Sequence, residues 1–486
     1  IDQSWILLMV RYHFVTQSRQ ITRLGLLLCL LSIGFTTAHS PTAQAQDPAA
    51  TRNVILIIGD GMDEHQITIA RNYLHGAEGK LGLDRLPLRA AVQVLTKEDK
   101  VDGKPVYVSD SANTATSMAT GVVTSRGRIA TSAGSDKNLT TIAELAAAAG
   151  YRTGIVTTAS VTDATASAFA AHINYRLCEN PGMMVDVTIS DIVLGDCSSD
   201  LQANGGKGSI AEQLASSTLH VALGGGAKHF DVAAEGSTET VAAMAQKQGF
   251  TVARTAQQME DAPQSKRLLG IFAPSTLPVR LQGENGRTAE KPEPSLLNSV
   301  HRYLGSVEQP AIMSCEPNPD FAQVPSLVSM TDTAIAHLSA DNEKGFFLMI
   351  ESASIDKQAH ERKPCGSIGE LEQLDEALAS ALKFASKAPN TLILITADHA
   401  QAAQLIPFDS LFAAYPIPVF SPGSVARIKT PEGSHMAVNY ATTNFMMEEH
   451  TGAAVPLFGN AQSVGRVPAY LTQPEIFDIM RDYLNL

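Results

Sequence analysis

The sequence has no excess of positive charge, and this argues against one large class of functions. Its 486 residues include 36 lysines and arginines against 49 aspartates and glutamates, so the formal net charge is −13. A nucleic-acid-binding protein needs a basic stripe that neutralises backbone phosphates. The composition therefore predicts no nucleic-acid-binding surface, and any anion that the protein handles must be held by local positive charge.

Long hydrophobic runs are also scarce. The run from Leu24 to Phe35 has 12 residues, too few to span a bilayer. Arg19 and Arg23 precede it and a small-x-small site at 43–45 follows, which is the order of a secretory signal peptide. We therefore expect residues 1–45 to be removed, leaving a periplasmic protein without a membrane anchor. A buried N-terminal helix is the alternative, but the Ser/Thr/Ala/Gln-rich stretch that follows would continue it poorly.

Cysteine is rare, and its spacing excludes some chemistry. None of the five cysteines has a C-x-x-C partner, which disfavours thiolate zinc sites and thioredoxin-like redox chemistry. Beyond Cys29, which lies in the apolar run, four cysteines remain and allow three pairings. Nearest-neighbour pairing joins Cys178 to Cys197 and Cys315 to Cys365, and would stabilise the fold by roughly 3–4 kcal/mol for each bond. Four free buried thiols are the alternative, disfavoured in an oxidising compartment.

Short apolar runs alternate with alanine-rich stretches over most of the chain. Strands are predicted at 53–59, 151–159, 218–223, 345–350 and 391–396, and helices at 139–150, 208–216 and 368–387. This alternation predicts an α/β fold with a doubly wound, mostly parallel central sheet and helices on both faces. We expect residues 46–486 to form a single domain. The segment 255–325 is richer in Pro, Gln, Glu and Ser, and predicts an insertion.

Several predicted strands are followed by carboxylates, at the edge where ligands bind in open parallel sheets. The residues are Asp60, Asp163, Glu351 and Asp398. Asp356 and His360 share one face of a predicted helix, at the i, i+4 spacing that lets two side chains hold one ion. Singly, these residues are also typical of turns and exposed pairs. Together they favour a metal cluster, because crowded carboxylates need a counter-charge; oxygen and imidazole ligands suit zinc, and an all-oxygen set suits magnesium.

Ser111 begins a small-residue stretch, 111–121, that predicts a helix. A serine at a helix N-terminus has free backbone N–H groups and the positive end of the dipole beside it. An ordinary N-cap is the alternative interpretation. The candidate metal ligands favour the interpretation of Ser111 as a nucleophile, because a nearby zinc ion can ionise its hydroxyl without a histidine base.

The chain resembles bacterial periplasmic alkaline phosphatases from about Asn53 to its C-terminus. The resemblance rests on ordered motifs at 163–165 (DAT), 172–178 (HINYRLC), 205–213 (GGKGSIAEQ), 223–228 (LGGGAK) and 448–452 (EEHTG). It implies two zinc ions and one magnesium ion. The first zinc would be held by Asp356, His360 and His450; the second by Asp60, Asp398 and His399, facing Ser111; and the magnesium by Asp60, Asp163, Thr165 and Glu351.

The resemblance further implies hydrolysis of a broad range of small phosphate monoesters through a phosphoserine on Ser111. Arg176 matches the family's phosphate-binding arginine, and Lys357 matches a lysine that helps to hold phosphate. It also implies a homodimer. Two positions depart from the family pattern: Asp63 stands where relatives continue Gly-Met-Gly, and Gln401 stands where well-known relatives have a histidine. We expect these departures to affect metal tuning and pH optimum more than activity.

Two other functions compete with this interpretation. Hydrolysis of phosphodiesters, phosphonates or sulfate esters occurs in the same superfamily, but its diesterases commonly use threonine, and sulfatases need a C-x-P-x-R or S-x-P-x-R site, which the sequence lacks. A catalytically silent phosphate- or metal-binding protein would have lost a ligand or the nucleophile, yet every such position is filled.

Overall fold

The strand Arg52–Gly59 lies at the centre of the fold and is buried along its whole length. Its Ile- and Val-rich run suits a strand that is covered on both faces of a parallel sheet. It pairs in parallel with Gly345–Ser352 on one side and with Thr391–Ala397 on the other. The computed structural model describes residues 51–189 and 192–486. The predicted signal peptide lies outside the described residues.

The main sheet has ten strands and is mostly parallel, as predicted. Among the described strands, only Val455–Gly459 runs against its neighbours in this sheet. The five strands predicted from the sequence all belong to it. In spatial order the strands are Tyr470–Thr472, Leu88–Gln93, Val455–Gly459, Thr391–Ala397, Arg52–Gly59, Gly345–Ser352, Arg152–Ser160, Val221–Gly225, Arg267–Ile271 and Phe250–Ala253.

Helices cover the sheet in two groups. One group, around Pro364–Ala385, and another, around Gln473–Leu484, both contact the buried central strand. Successive side chains of a strand point to opposite faces of the sheet, and every residue of this strand is buried. Both faces of the sheet are therefore covered here, which agrees with the predicted doubly wound architecture. The described α-helices are Glu64–His75, Ser111–Thr120, Ile142–Ala148, Ala164–Ser167, Ile210–Ser216, Ala227–Phe230, Val241–Lys247, Ala256–Glu260, Leu296–Val300, Leu327–Ser339, Ser354–His360, Pro364–Ala385 and Gln473–Leu484.

Segment 255–325 contributes to two parts of the fold. Its strand Arg267–Ile271 belongs to the main sheet, so the first part of the segment is continuous with the core. The later part forms short strands outside the main sheet. The described strands outside it are Thr96–Lys97, Pro105–Val106, Val187–Ile189, Ile192–Gly195, Leu281–Gly283, Glu293–Pro294, Val307–Glu308, Ile312–Met313, Cys315–Pro317, Gln404–Ile406, Ser424–Lys429 and His435–Tyr440.

Two disulfides tie peripheral segments to the core. Cys178 is bonded to Cys197 and Cys315 to Cys365, with sequence separations of 19 and 50 residues. This is the nearest-neighbour pairing. The second bond joins the short strand Cys315–Pro317 to the start of the helix Pro364–Ala385. Within the described ranges, no helix combines the length and apolar character needed to cross a membrane.

Candidate active site

Strand register brings the predicted ligands to one edge of the sheet. Gly59 is aligned with Ser352 on one side and with Ala397 on the other. Asp60 and Asp398, each the next residue after its strand, therefore emerge side by side. Glu351 lies inside the strand Gly345–Ser352, which runs two residues further than the sequence predicted.

The first cluster contains Asp356, His360 and His450. Asp356 and His360 lie on the short helix Ser354–His360, and the Nε2 atoms of His360 and His450 each lie 3.3 Å from a carboxylate oxygen of Asp356. The Nδ1 of His450 lies 2.9 Å from the Ser109 carbonyl, and the Nδ1 of His360 contacts the Glu448 carbonyl. A carbonyl only accepts hydrogen bonds, so both Nδ1 atoms carry the proton.

This arrangement fits a cation. The two Nε2 atoms are 3.0 Å apart, and with both protons on Nδ1 they face each other as lone pairs. Burial alone would raise the pKa of Asp356, but protonation of His360 and His450 when no metal is bound places positive charge beside this carboxylate and holds its pKa well below its usual range. Two imidazole nitrogens and a carboxylate that converge in this way form a typical catalytic zinc donor set. The backbone carbonyls that orient the rings are the outer partners that such ligands usually have.

The second cluster contains Asp60, Asp398 and His399, all buried. The Nε2 of His399 lies 3.3 Å from Asp60 Oδ1 and 3.2 Å from Asp398 Oδ2. The Ser111 hydroxyl lies 3.1 Å from the same Nε2 and 3.5 Å from Asp60 Oδ2. Burial lowers the pKa of His399 well below its usual value. The ring is therefore neutral and able to act as a ligand.

The buried carboxylates at this edge repel one another. Burial raises the pKa of Asp60 well above its usual value, and the charges of Asp398, Asp356 and Glu351 add to the effect. Burial likewise raises the pKa of Asp398 to about 6, and that of Glu351 to about 7. Keeping these groups ionised in one place requires nearby positive charge. The mutual repulsion of these buried carboxylates would be relieved by divalent cations bound among them.

A third group of oxygens lies beside the second cluster. The Glu351 carboxylate accepts a hydrogen bond of 2.6 Å from Thr157, and its pKa is raised further by the charge of Asp163. Thr165 follows two residues after Asp163, and its Oγ1 is buried without a hydrogen-bond partner among the described residues. Hard oxygen ligands of this kind suit magnesium.

Arg176 and Lys357 place positive charge beside these carboxylates. An acidic chain needs local positive charge of this kind if it is to bind an anion. Arg176 donates hydrogen bonds to Asp163 at 3.0 Å and to Asp110 at 3.3 Å. Lys357 donates to the other oxygen of Asp163 at 2.5 Å. These two cations hold the pKa of Asp163 well below its usual range, against the effect of burial. Arg176, Lys357 and Asp163 therefore form one hydrogen-bonded network.

Asp110 contacts two of the candidate site residues, and the sequence interpretation did not select it. It is the N-cap of the helix Ser111–Thr120, and its Oδ1 accepts from the Asn113 backbone at 3.1 Å while Asn113 Oδ1 accepts from the Asp110 backbone at 2.9 Å. Its other oxygen accepts from Arg176 and from Gly127 N–H at 3.0 Å. One side chain thus fixes both the helix start at Ser111 and the guanidinium. An aspartate directly before a predicted helix is a preferred N-cap residue, and this was a usable signal.

The two departures from the family pattern contact each other. Asp63 is the N-cap of the helix Glu64–His75, and it also accepts a hydrogen bond of 3.1 Å from the Gln401 backbone. The Gln401 side-chain amide donates to Asp356. Gln401 therefore supports a first-cluster carboxylate, and Asp63 holds the segment that carries it.

Comparisons with known proteins identify the family. The family model described as alkaline phosphatase matches residues 51–455. The alkaline phosphatase of Escherichia coli K12 is 38% identical over 461 residues, covering 93% of this chain and 90% of that protein. The chain belongs to the alkaline phosphatase family. As a member of that family it is a metal-dependent phosphomonoesterase.

Other relatives agree with this assignment. The streptomycin-6-phosphate phosphatase of Streptomyces griseus is 37% identical, covering 94% of this chain and 96% of that protein. The solved structure of the Thermus thermophilus alkaline phosphatase covers 90% of this chain and 92% of that chain at 20% identity, with a TM-score of 0.62. That structure supports the fold.

Proposed function

We propose that this alkaline phosphatase family member transfers the phosphoryl group first to Ser111 and then to water, with two zinc ions and one magnesium ion. The observation that carries the proposal is the position of Ser111. Its hydroxyl lies at a helix start, 3.1 Å from His399 Nε2, beside the second cluster. The cap residue Asp110 also binds Arg176. The Asp110 side chain thus holds both the start of the helix that carries the proposed nucleophile, Ser111, and the proposed anion-binding group, Arg176.

The three donor groups support three cofactor sites. Asp356, His360 and His450 would hold one zinc, and Asp60, Asp398 and His399 the other. Asp163, Thr165 and Glu351, together with Asp60, would hold magnesium. When bound, these ions would favour ionisation of the serine hydroxyl and stabilise negative charge on the leaving oxygen.

The chain's own residues account for both displacements. In the first, the Ser111 hydroxyl gives its proton to solvent as its oxygen bonds to phosphorus; the bond from phosphorus to the ester oxygen breaks, and that oxygen takes a proton from solvent and leaves as the alcohol. In the second, a water oxygen bonds to phosphorus and gives one proton to solvent; the bond from phosphorus to the Ser111 oxygen breaks, and that oxygen takes a proton from solvent, which restores the hydroxyl and releases inorganic phosphate. Arg176 orients the phosphoryl oxygens with its planar fork, and Lys357 adds a point charge. Two inversions give net retention of configuration at phosphorus.

The test compares p-nitrophenyl phosphate with bis-p-nitrophenyl phosphate, before and after chelation and after restoration of zinc and magnesium. We expect chelator-sensitive turnover of the monoester and little turnover of the diester. Acid quenching followed by mass spectrometry should find phosphate on the Ser111 peptide. The Ser111→Ala variant should form no phosphoenzyme while it keeps its metals. Normal labelling of that variant, or preference for the diester, would refute the proposal.

Recognition centred on the phosphoryl group supports a broad range of small monoesters. The Streptomyces relative is named for a single substrate, streptomycin 6-phosphate, so that compound belongs in a substrate panel with simple alkyl and aryl phosphates. Similar kcat/KM values across the panel would support broad use. A strong preference for streptomycin 6-phosphate would contradict it.

Export, domain organisation and assembly are proposed on separate grounds. The signal-peptide pattern of residues 1–45 and the two disulfides support a periplasmic protein. One domain over 46–486 is supported by the main sheet, whose strands run from Arg52–Gly59 to Tyr470–Thr472 in the sequence. The homodimer rests on the family resemblance. Cell fractionation, N-terminal sequencing and sedimentation of the purified protein test these proposals.

A further inference from the structure

His450 is carried by a segment that lacks regular secondary structure and has little apolar support. Residues 441–450 form no helix or strand. Phe445 and Met446 are 63% and 74% exposed, whereas Glu448 is 1% exposed. Apolar burial therefore does not hold the tip of this segment, and its position depends on the polar contacts of Glu448.

The buried Glu448 carboxylate organises the segment from within. Its Oε2 accepts hydrogen bonds from the Thr442 backbone at 2.8 Å and from the Thr442 hydroxyl at 2.6 Å. Its Oε1 accepts from Arg362 Nε at 2.6 Å. The Arg362 and Glu448 side chains are 15% and 0% exposed, so this ion pair is shielded from water. Removing one partner of a buried pair leaves the other charge uncompensated.

Arg362 binds the same segment at two further points. Its guanidinium donates to the Phe445 carbonyl at 2.6 Å and to the Met446 carbonyl at 3.1 Å. It lies two residues after the end of the helix that carries Asp356 and His360, and its φ of 60° is unusual for a residue other than glycine. A single residue thus connects the two segments that supply the first cluster.

The connection reaches the ligand atoms through the Glu448 backbone. Glu448 N–H donates to the His360 carbonyl at 2.9 Å, and the Glu448 carbonyl accepts from His360 Nδ1. The second contact fixes the ring so that Nε2 faces His450. A displacement of Glu448 would therefore disturb both histidines of the first cluster, while the second cluster would keep its own supports on different strands.

We propose that Arg362 and Glu448 form a positioning pair that sets the zinc affinity of the first cluster, Asp356, His360 and His450. This inference rests on the proposed zinc sites and adds two residues that touch neither substrate nor metal. Loss of outer partners of this kind typically lowers metal affinity by about 10- to 100-fold. The effect should be selective, so that one zinc of the two is weakened.

The experiment measures zinc retained per chain after equilibration with graded concentrations of a zinc chelator, using elemental analysis. The proteins are the wild type, Arg362→Ala, Arg362→Lys and Glu448→Gln. Arg71→Ala is the matched control, because Arg71 pairs with Asp84 at 2.7 Å with similar exposure, away from the clusters. The melting temperatures of the metal-free proteins are measured in parallel.

We expect Arg362→Ala to lose one zinc at chelator concentrations about 10- to 100-fold lower than the wild type, and to keep the second zinc normally. Arg362→Lys should recover part of the affinity, because lysine still donates to Glu448, and Glu448→Gln should fall between. The control should match the wild type. Wild-type retention of both zincs in Arg362→Ala would overturn the inference, and so would equal weakening of both accompanied by a lower metal-free melting temperature. A wild-type protein that binds no zinc would instead overturn the proposed function.

Discussion

Replacement of Arg176 by alanine tests how much of phosphate recognition one guanidinium supplies. Two charge-assisted hydrogen bonds to a phosphoryl group are worth about 1.5–3 kcal/mol each, which sets an upper limit of about 6 kcal/mol. In this structure Arg176 already donates to Asp110 and Asp163. Phosphate must therefore replace part of an existing network, and the net contribution is smaller, about 2–3 kcal/mol.

This free energy corresponds to a weakening of inorganic phosphate inhibition by about 30- to 150-fold. We expect kcat to fall less, because the proposed metal ions would supply most of the stabilisation of transition-state charge. The assay is the inhibition constant of phosphate, measured together with kcat and KM for p-nitrophenyl phosphate. Arg176→Lys should give an intermediate value, because it keeps the charge but loses the fork.

Arg126→Ala is the control for this prediction. Arg126 is an exposed arginine from the same region, and its guanidinium donates to the Val108 carbonyl. Its removal should change phosphate inhibition by less than about twofold, the size expected for an exposed group. A change of less than about threefold in Arg176→Ala would refute the argument, because the fork would then contribute little more than an exposed surface charge.

Two further predictions concern stability and are best measured on metal-free protein by urea unfolding. Replacing Cys315 and Cys365 by serine opens a loop with a sequence separation of 50 residues, for which the chain-entropy estimate is about 4 kcal/mol; an unchanged midpoint would contradict it. Burial, with the charges of Arg152 and Arg267, lowers the pKa of His220 to about 4. As the pH is lowered, His220 becomes protonated in the unfolded chain near pH 6.5 but in the folded protein only near pH 4. The free energy of unfolding should therefore fall as the pH drops from about 6.5 towards 4. His220→Gln should flatten the pH dependence in that range, and a profile identical to that of the wild type would refute this assignment.

Several residues of the candidate site could be selected from the sequence, because they follow from local patterns. The apolar composition of residues 53–59 predicts a buried strand, and Asp60 follows that strand directly in the sequence. Asp356 and His360 need only one turn of helix to share a face. These features depend on a few neighbouring residues, so periodicity and spacing reveal them.

The supporting contacts were not predictable in the same way. Asp110 and Arg176 are 66 positions apart, and Arg362 and Glu448 are 86 apart. No local spacing connects such pairs. Gln401 was noticed only as a departure from a family pattern, and its contact with Asp356 came from the fold. The predicted insertion, 255–325, includes a strand of the main sheet, Arg267–Ile271, and composition alone does not show which short strands join that sheet.

The sequence by itself determined the alternation of strands and helices, the family, and the chemical types of the candidate ligands. These properties depend on short stretches of chain, because the spacing of residues along a helix or strand decides on which face their side chains lie. Tertiary structure alone decided which ligands share a cluster, which nitrogen of each first-cluster histidine is free, and which outer residues hold them. Those outcomes depend on the parallel register at the sheet edge and on hydrogen bonds between segments far apart in sequence, and only the folded chain brings these groups together.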